Sequence, residues 1–253
     1  MGKRVLLEVC VASVDDALAA IAGGADRLEV NSALSLGGLT PSAGLFAEVR
    51  RAVSLPLVAM VRPRAGGFCY SANDFRVMLR DAETLLSAGA DGLAFGVLTS
   101  TGAVDVDRCR QLRELCGSRT AVFHRALDVT PDPFMALDQL TDLGFQRVMT
   151  SGQEATALRG VPLIANFIRR AAGSVEILPA GGINRTTVGD IVNQTGCDQI
   201  HVSLRAATRD TSVAARPQIV FGTLHRVSEV DFEQTDEKAV AEMKSLLAST
   251  IAI

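Results

Sequence analysis

Four segments of this chain repeat one pattern: Gly24-Ala25-Asp26-Arg27-Leu28-Glu29-Val30, Gly89-Ala90-Asp91-Gly92-Leu93-Ala94-Phe95, Gly144-Phe145-Gln146-Arg147-Val148-Met149-Thr150 and Gly196-Cys197-Asp198-Gln199-Ile200-His201-Val202. In each, a glycine follows a helical pattern and suits the left-handed residue that closes a helix. A polar residue comes two positions later, and an alternating strand follows. The glycines are spaced by 65, 55 and 52 residues. Each interval has room for one further strand and helix, so the repeat marks the entries to strands 2, 4, 6 and 8. The eight strands are predicted near 4–10, 26–31, 56–62, 92–97, 120–125, 146–150, 175–180 and 198–203. Eight strands alternating with helices predict an α/β fold, a single TIM-type (β/α)8 barrel. A doubly wound open sheet is the alternative. Helix starts are read at Ser13, Thr40-Pro41, Asn73-Asp74, Asp105 and Asp132-Pro133, all good caps or first-turn residues.

A chain of 253 residues, 48% hydrophobic, suits one barrel domain over 1–253. Residues 206–235 are too long for an ordinary connection and read as an extended arm between strand 8 and the last helix. Gln218 to Phe232 alternate within it, and His225 there reads as a surface or interface histidine. The net charge of −3 gives no footprint for nucleic acid, and no apolar stretch is long enough to span a membrane. The expected location is the cytoplasm. The cysteines at 10, 69, 109, 116 and 197 form no CxxC pair and are expected to be reduced thiols. Cys109 and Cys116 lie seven apart on one helix face, as core.

The hydrophobic runs end in polar residues, and barrel sites lie at the carboxyl ends of strands. Alternation along the strands turns Glu8 and Cys10, Arg27, Glu29 and Asn31, Met60 and Arg62, and His201 and Ser203 toward the axis. It also turns Val122 and His124 inward on strand 5, and Val148 and Thr150 on strand 6. Arg64, Arg125, Asp128 and Ser151 lie on loops above. Buried charges of this kind need partners, water or a ligand. A register-fixing core layer and a binding site both satisfy that need. Gly181-Gly182 after strand 7 and Ser203 after strand 8 stand where barrels often bind phosphate through backbone N–H groups. The loop from Arg64 to Ser71 reads as a lid or a long turn.

Leu7-Glu8-Val9-Cys10-Val11, Gly24-Ala25-Asp26-Arg27-Leu28-Glu29, Gly37-Gly38-Leu39-Thr40-Pro41-Ser42, Met60-Val61-Arg62-Pro63-Arg64, Phe123-His124-Arg125-Ala126-Leu127-Asp128 and Thr150-Ser151-Gly152 together resemble the CutC family over about residues 4–210. The resemblance implies a TIM-type barrel, a cytosolic location and a link to copper homeostasis or tolerance. It also implies thiolates at the mouth, because Cu(I) is soft and prefers sulfur. Cys10 stands at the first such position, while Asn31 occupies the second, where the family usually has cysteine. Ala180 also departs from the family, which tends to have glycine there. The expectation is therefore weak or absent two-thiolate Cu(I) binding at Cys10, with Met60 or Cys69 as substitute donors.

Three functions compete on the sequence. The first is participation in copper homeostasis. The second is a barrel enzyme of lyase or isomerase type acting on a small anionic or phosphorylated metabolite. There Arg62, Arg64 and Arg125 would hold the anion, Glu8 or Glu29 would be the base, and His124 an acid or electrophile. Asp128, Thr150, Ser151, Gly181, Gly182, His201 and Ser203 complete its predicted ligand site. The third is a scaffold that assembles into a homo-oligomer through the arm.

Overall fold

A computed structural model describes residues 4–216, 218–221 and 229–250 of the chain. Eight parallel strands carry the fold: β1 Leu6–Val11, β2 Arg27–Val30, β3 Leu57–Met60, β4 Gly92–Phe95, β5 Thr120–Phe123, β6 Arg147–Thr150, β7 Glu176–Pro179 and β8 Gln199–Val202. Each is followed, directly or after a loop, by a helix: α1 Val14–Ala22, α2 Ala43–Ala52, α3 Ala72–Ser87, α4 Val106–Cys116, α5 Pro133–Asp142, α6 Val161–Ala171, α7 Val188–Thr195 and α8 Glu237–Thr250. The strands pair in the order β7-β6-β5-β4-β3-β2-β1-β8. A single parallel bridge between Ala180 and His201 closes the ring. The fold is the TIM-type barrel predicted.

The repeat has a physical reason. The glycines at 24, 89, 144 and 196 all adopt positive φ, between 70° and 94°, so each reverses the chain at a helix end where other residues are strained. The polar residue two positions on then stitches two strands together. Asp26 accepts a hydrogen bond from Leu7 N at 2.8 Å, Asp91 from Leu57 N at 2.8 Å, and Gln146 from Ala121 N at 2.7 Å. Each satisfies the entry N–H of the preceding odd strand, which no helix or ladder serves.

Two apolar clusters lie on opposite faces of the sheet. The larger fills the space between strands and helices and contains Leu7, Val9, Leu28, Val30, Phe95, Phe123, Ile200 and both Cys109 and Cys116. The smaller fills the barrel with Val58, Met60, Ala94, Val122, Met149, Leu178 and Ala180. Strand 6 is the exception to the predicted facing. Arg147 pairs in register with inward Val122, and Val148 with outward Phe123. Arg147 and Met149 therefore point inward, and Val148 joins the outer core. The segment Arg147-Val148-Met149-Thr150 alternates equally well in either phase, and the neighbouring strand decides.

Two caps also differ from the reading. Ser42 and Ser71 cap α2 and α3 through Leu45 N and Asp74 N. Thr40 is taken instead by the backbone N–H of Arg62, at 2.9 Å. The predicted arm is in part a hairpin, β9 Arg205–Arg209 against β10 Asp231–Thr235. Much of the alternating run from Gln218, including His225, lies outside the described residues. Among the described residues no helix is long and apolar enough to cross a membrane.

Candidate functional site

The floor of the barrel is a polar plug. Arg27 pairs with Glu8 through Nε and donates to Gln199 Oε1 at 2.8 Å. Arg147 donates to the same Gln199 oxygen at 2.9 Å and pairs with Glu176 at 2.6 Å. Arg27 and Arg147 were absent from the predicted site. They are the register-fixing layer that the sequence left as one of two readings.

Above the plug lies a cavity of about 600 Å³. Of the predicted site residues, Cys10, Glu29, Asn31, Arg62, His124, Arg125, Asp128, Gly181, Gly182, His201 and Ser203 line it. Glu8, Arg64, Thr150 and Ser151 do not. Glu8 sits below, at 1% exposure. Arg64 turns away, bonding Asp74 at 3.1 Å and the carbonyl of Cys69 at 2.9 Å while stacking over Tyr70. It orders the loop after β3. Thr150 and Ser151 are spent on Asp128, which accepts from both hydroxyls, from Ser151 N and from the Arg125 Nε at 2.8 Å. The Asp128 carboxylate is thus occupied with fixing the loops after β5 and β6, and Arg125 is held over the cavity edge with a second bond to Ser151 at 2.7 Å. Phe68, Leu34, Met149 and Ile183, which the sequence reading did not select, complete the wall.

His124 is 4% exposed. Its Nδ1 accepts a hydrogen bond from Ala126 N at 3.2 Å, at the start of a 3-10 turn over Arg125–Val129. Burial, with the Arg62 charge adding, pushes its pKa down to about 3. A neutral ring that accepts at Nδ1 must carry its proton at Nε2. That Nε2 has no partner among the described residues. Phe68 packs on the ring with centroids 4.9 Å apart. Gly96 is required beside it, since a Cβ there would lie 2.6 Å from His124 Cε1. No motif marks Gly96; it ends β4 without any local turn signal.

Arg62 crosses beneath the loops. Its guanidinium donates to the carbonyls of Leu36 at 3.0 Å, Gly38 at 2.9 Å and Gly66 at 2.8 Å. No carboxylate among the described residues pairs with it, so its charge is felt in the cavity. Backbone donors add to this positive side. The N–H groups of Gly182 and Ile183 find no acceptor among the described residues.

The opposite wall carries the carboxylates. His201 Nδ1 lies 2.8 Å from Glu8 Oε1, and its Nε2 lies 3.9 Å from Glu29 Oε2. Burial alone would push the His201 pKa down, but Glu29, Cys10 and Glu8 outweigh it and hold the ring well above its ordinary value. Burial would likewise raise Glu8, but Arg27 and His201 hold it well below the carboxylate range. Glu29 is raised by burial, with the Glu8 charge adding. Its Oε2 accepts from Asn31 Nδ2 at 2.9 Å, while its Oε1 has no partner among the described residues. Asn31 is committed to this role, and its Oδ1 abuts Gly38. Cys69, a proposed substitute sulfur, is exposed on its loop and does not line the cavity.

Residues 5–206 match the family model described as the CutC family. A family protein CutC of Treponema denticola is 48% identical over 220 residues, covering 87% of this chain and 89% of its own. The human protein named copper homeostasis protein cutC homolog is 40% identical over 242 residues, covering 95% and 88%. A crystal structure of a CutC protein from Streptococcus agalactiae superposes with a TM-score of 0.75 at 29% identity, over 78% of this chain and 97% of its own. A family model spanning most of the chain, relatives along its length and a matching barrel agree, and the chain belongs to the CutC family.

Proposed function

We propose that this protein is a cytoplasmic member of its family that takes part in copper homeostasis through the small-molecule site at its barrel mouth. The chemistry this site supports best is acid–base chemistry on a small anionic or phosphorylated ligand. One observation carries the reading: neutral His124, in the cavity wall beside the charge of Arg62, holds a buried Nε2–H with no partner among the described residues. An orphaned buried donor is costly, by about 1–3 kcal/mol, unless a ligand satisfies it. Arg125 and the N–H groups of Gly182 and Ile183 would hold the anion. Glu29, with its open Oε1 on the far wall, would exchange a proton with the ligand, and His124 would polarise it as a neutral donor. Lyase or isomerase chemistry fits this division into an anion side and a proton side. Calorimetric titration with inorganic phosphate tests it. Binding is expected to wild type and to weaken roughly tenfold in Arg125→Ala, the value of one charge-assisted hydrogen bond. Equal binding to both proteins, or none to wild type, removes the anion site.

A second reading, direct handling of Cu(I), rests on three sulfur side chains, Cys10, Met60 and Met149, lining one cavity. A single thiolate with thioethers binds Cu(I) less firmly than two thiolates, and Asn31 does not supply the second. An anaerobic Cu(I) competition titration should therefore give a weak site in wild type and none in Cys10→Ser. A tight site surviving that change would refute it. Assembly into a homo-oligomer belongs to the same proposal and is checked by sedimentation.

A further inference from the structure

The charged groups of the cavity are interleaved with apolar ones. Leu34 comes from the loop after β2, Phe68 from the loop after β3, Val129 from the loop after β5, Met149 from β6 and Ile183 from the loop after β7, and all of them line the space. Phe68 is fixed in this wall. The Arg62 guanidinium lies 5.4 Å from its ring centroid, the His124 ring packs on it, and its carbonyl accepts from Leu98 N at 2.9 Å. The polar side chains that interrupt the apolar ones are committed elsewhere. Asn31 donates to Glu29, and both Asp128 oxygens hold the loops after β5 and β6. At the rim Val129 is 59% exposed, so the apolar lining reaches the solvent at the mouth.

We infer that the ligand of this site is an anion carried on an apolar body, an aryl or alkyl phosphate or carboxylate in place of a sugar phosphate or a bare ion. The inference rests on the proposed anion site and names what that anion is attached to. Volume speaks against the bare ion. The cavity of about 600 Å³ is roughly four times the ~150 Å³ that encloses a benzene molecule. A phosphate at Arg125 and the Gly182 and Ile183 N–H groups leaves most of that space to water. Partners speak against a sugar. A hydroxyl desolvated against Leu34, Phe68, Met149 or Ile183 meets no side-chain donor or acceptor there to replace water, which is costly. An apolar body loses nothing by the same transfer and gains by covering those side chains. The Phe68 ring and the Met149 thioether both favour contact with an aromatic ring, so phenyl phosphate is the simplest probe that joins the two parts.

Calorimetric titration of the full chain with phenyl phosphate, ribose 5-phosphate and inorganic phosphate tests it. Phenyl phosphate should bind roughly tenfold tighter than inorganic phosphate, a difference of about 1.4 kcal/mol, and ribose 5-phosphate should show no such gain. Its heat capacity change on binding should also be the more negative, the mark of apolar burial. The ratio of the phenyl phosphate and inorganic phosphate affinities is the readout in variants, because a general loosening of the anion side cancels in it. Phe68→Gln should reduce that ratio, with circular dichroism checking its fold. Val129→Asn, a change at an exposed position, should reduce it without touching the fold. A ratio near one in wild type overturns the inference and leaves the anion site standing. So does ribose 5-phosphate binding as tightly as phenyl phosphate, or a ratio unchanged in both variants. Phenyl phosphate bound where inorganic phosphate is not carries the inference and removes the separate anion site. No binding of any of the three removes both.

Discussion

His124 shows how a single side chain acquires a role from its surroundings. Its ring stays neutral down to about pH 3, whereas an unfolded histidine takes a proton near 6.5. Between these values the unfolded chain binds the extra proton, so stability falls as the pH drops, by up to about 1.4 kcal/mol per pH unit from this residue. His124→Gln keeps an acceptor for Ala126 N but cannot titrate. Urea unfolding at pH 7 and pH 4.5 should therefore show a smaller acid loss in the variant than in wild type. An identical loss would mean that the ring is not held neutral. Asp128 illustrates the opposite fate. It read from sequence as a ligand-binding carboxylate, but four donors from Thr150, Ser151 and Arg125 consume it. No rule of sequence separates a carboxylate that faces a ligand from one that ties loops together.

At the scale of elements, the even-strand entries and the hairpin use the same device, a polar side chain that satisfies another segment's backbone. Asp16, 2% exposed in the first turn of α1, accepts from Ala12 N at 2.9 Å and from Thr235 N at 2.7 Å. It also meets Arg205 at 3.3 Å. One residue thereby anchors both ends of the β9–β10 hairpin to the barrel. Asp16→Ala leaves two backbone donors and one guanidinium without it, which should cost about 2–4 kcal/mol. Limited proteolysis should then cut between β9 and β10 faster than in wild type, with the cavity's phosphate affinity unchanged. Unaltered cleavage would mean that other contacts hold the hairpin. The facing of β1, β2 and β8 was legible because Glu8, Arg27, Glu29 and His201 alternate with apolar residues along them, and that of β3 because Arg62 follows it in phase with Met60. Strand β6 was not, because four residues in which Arg, Val, Met and Thr alternate carry no preferred face.

Over the whole molecule, polar and apolar residues are divided around the barrel rather than layered evenly. β8, β1 and β2 bring His201, Gln199, Glu8, Cys10, Arg27 and Glu29 inward, while β3 to β7 bring Val58, Met60, Ala94, Val122, Met149 and Leu178, with Arg147 of β6 reaching across to the polar floor. The polar sector is closed to the apolar one at the β7–β8 seam by the single bridge at Ala180 and His201. This places a carboxylate wall opposite an arginine and histidine wall across one cavity. A buried space with opposite charge on facing walls can bind one ligand at two ends, which a uniformly polar or apolar interior cannot do.

The sequence by itself determined the barrel, its eight strands and most of the residues that meet at the mouth. These follow from local facts: glycines where the backbone must turn left-handed, polar residues at strand entries, and alternation that assigns a face on strands other than β6. Only the tertiary structure decided which of the gathered polar groups are spent and which are open. Arg64, Asp128, Thr150 and Ser151 find partners across loops, while His124 Nε2 and Glu29 Oε1 find none among the described residues. Hydrogen bonds between segments distant in sequence settle that difference, because a donor's partner depends on distance and direction in space, which no spacing along the chain encodes.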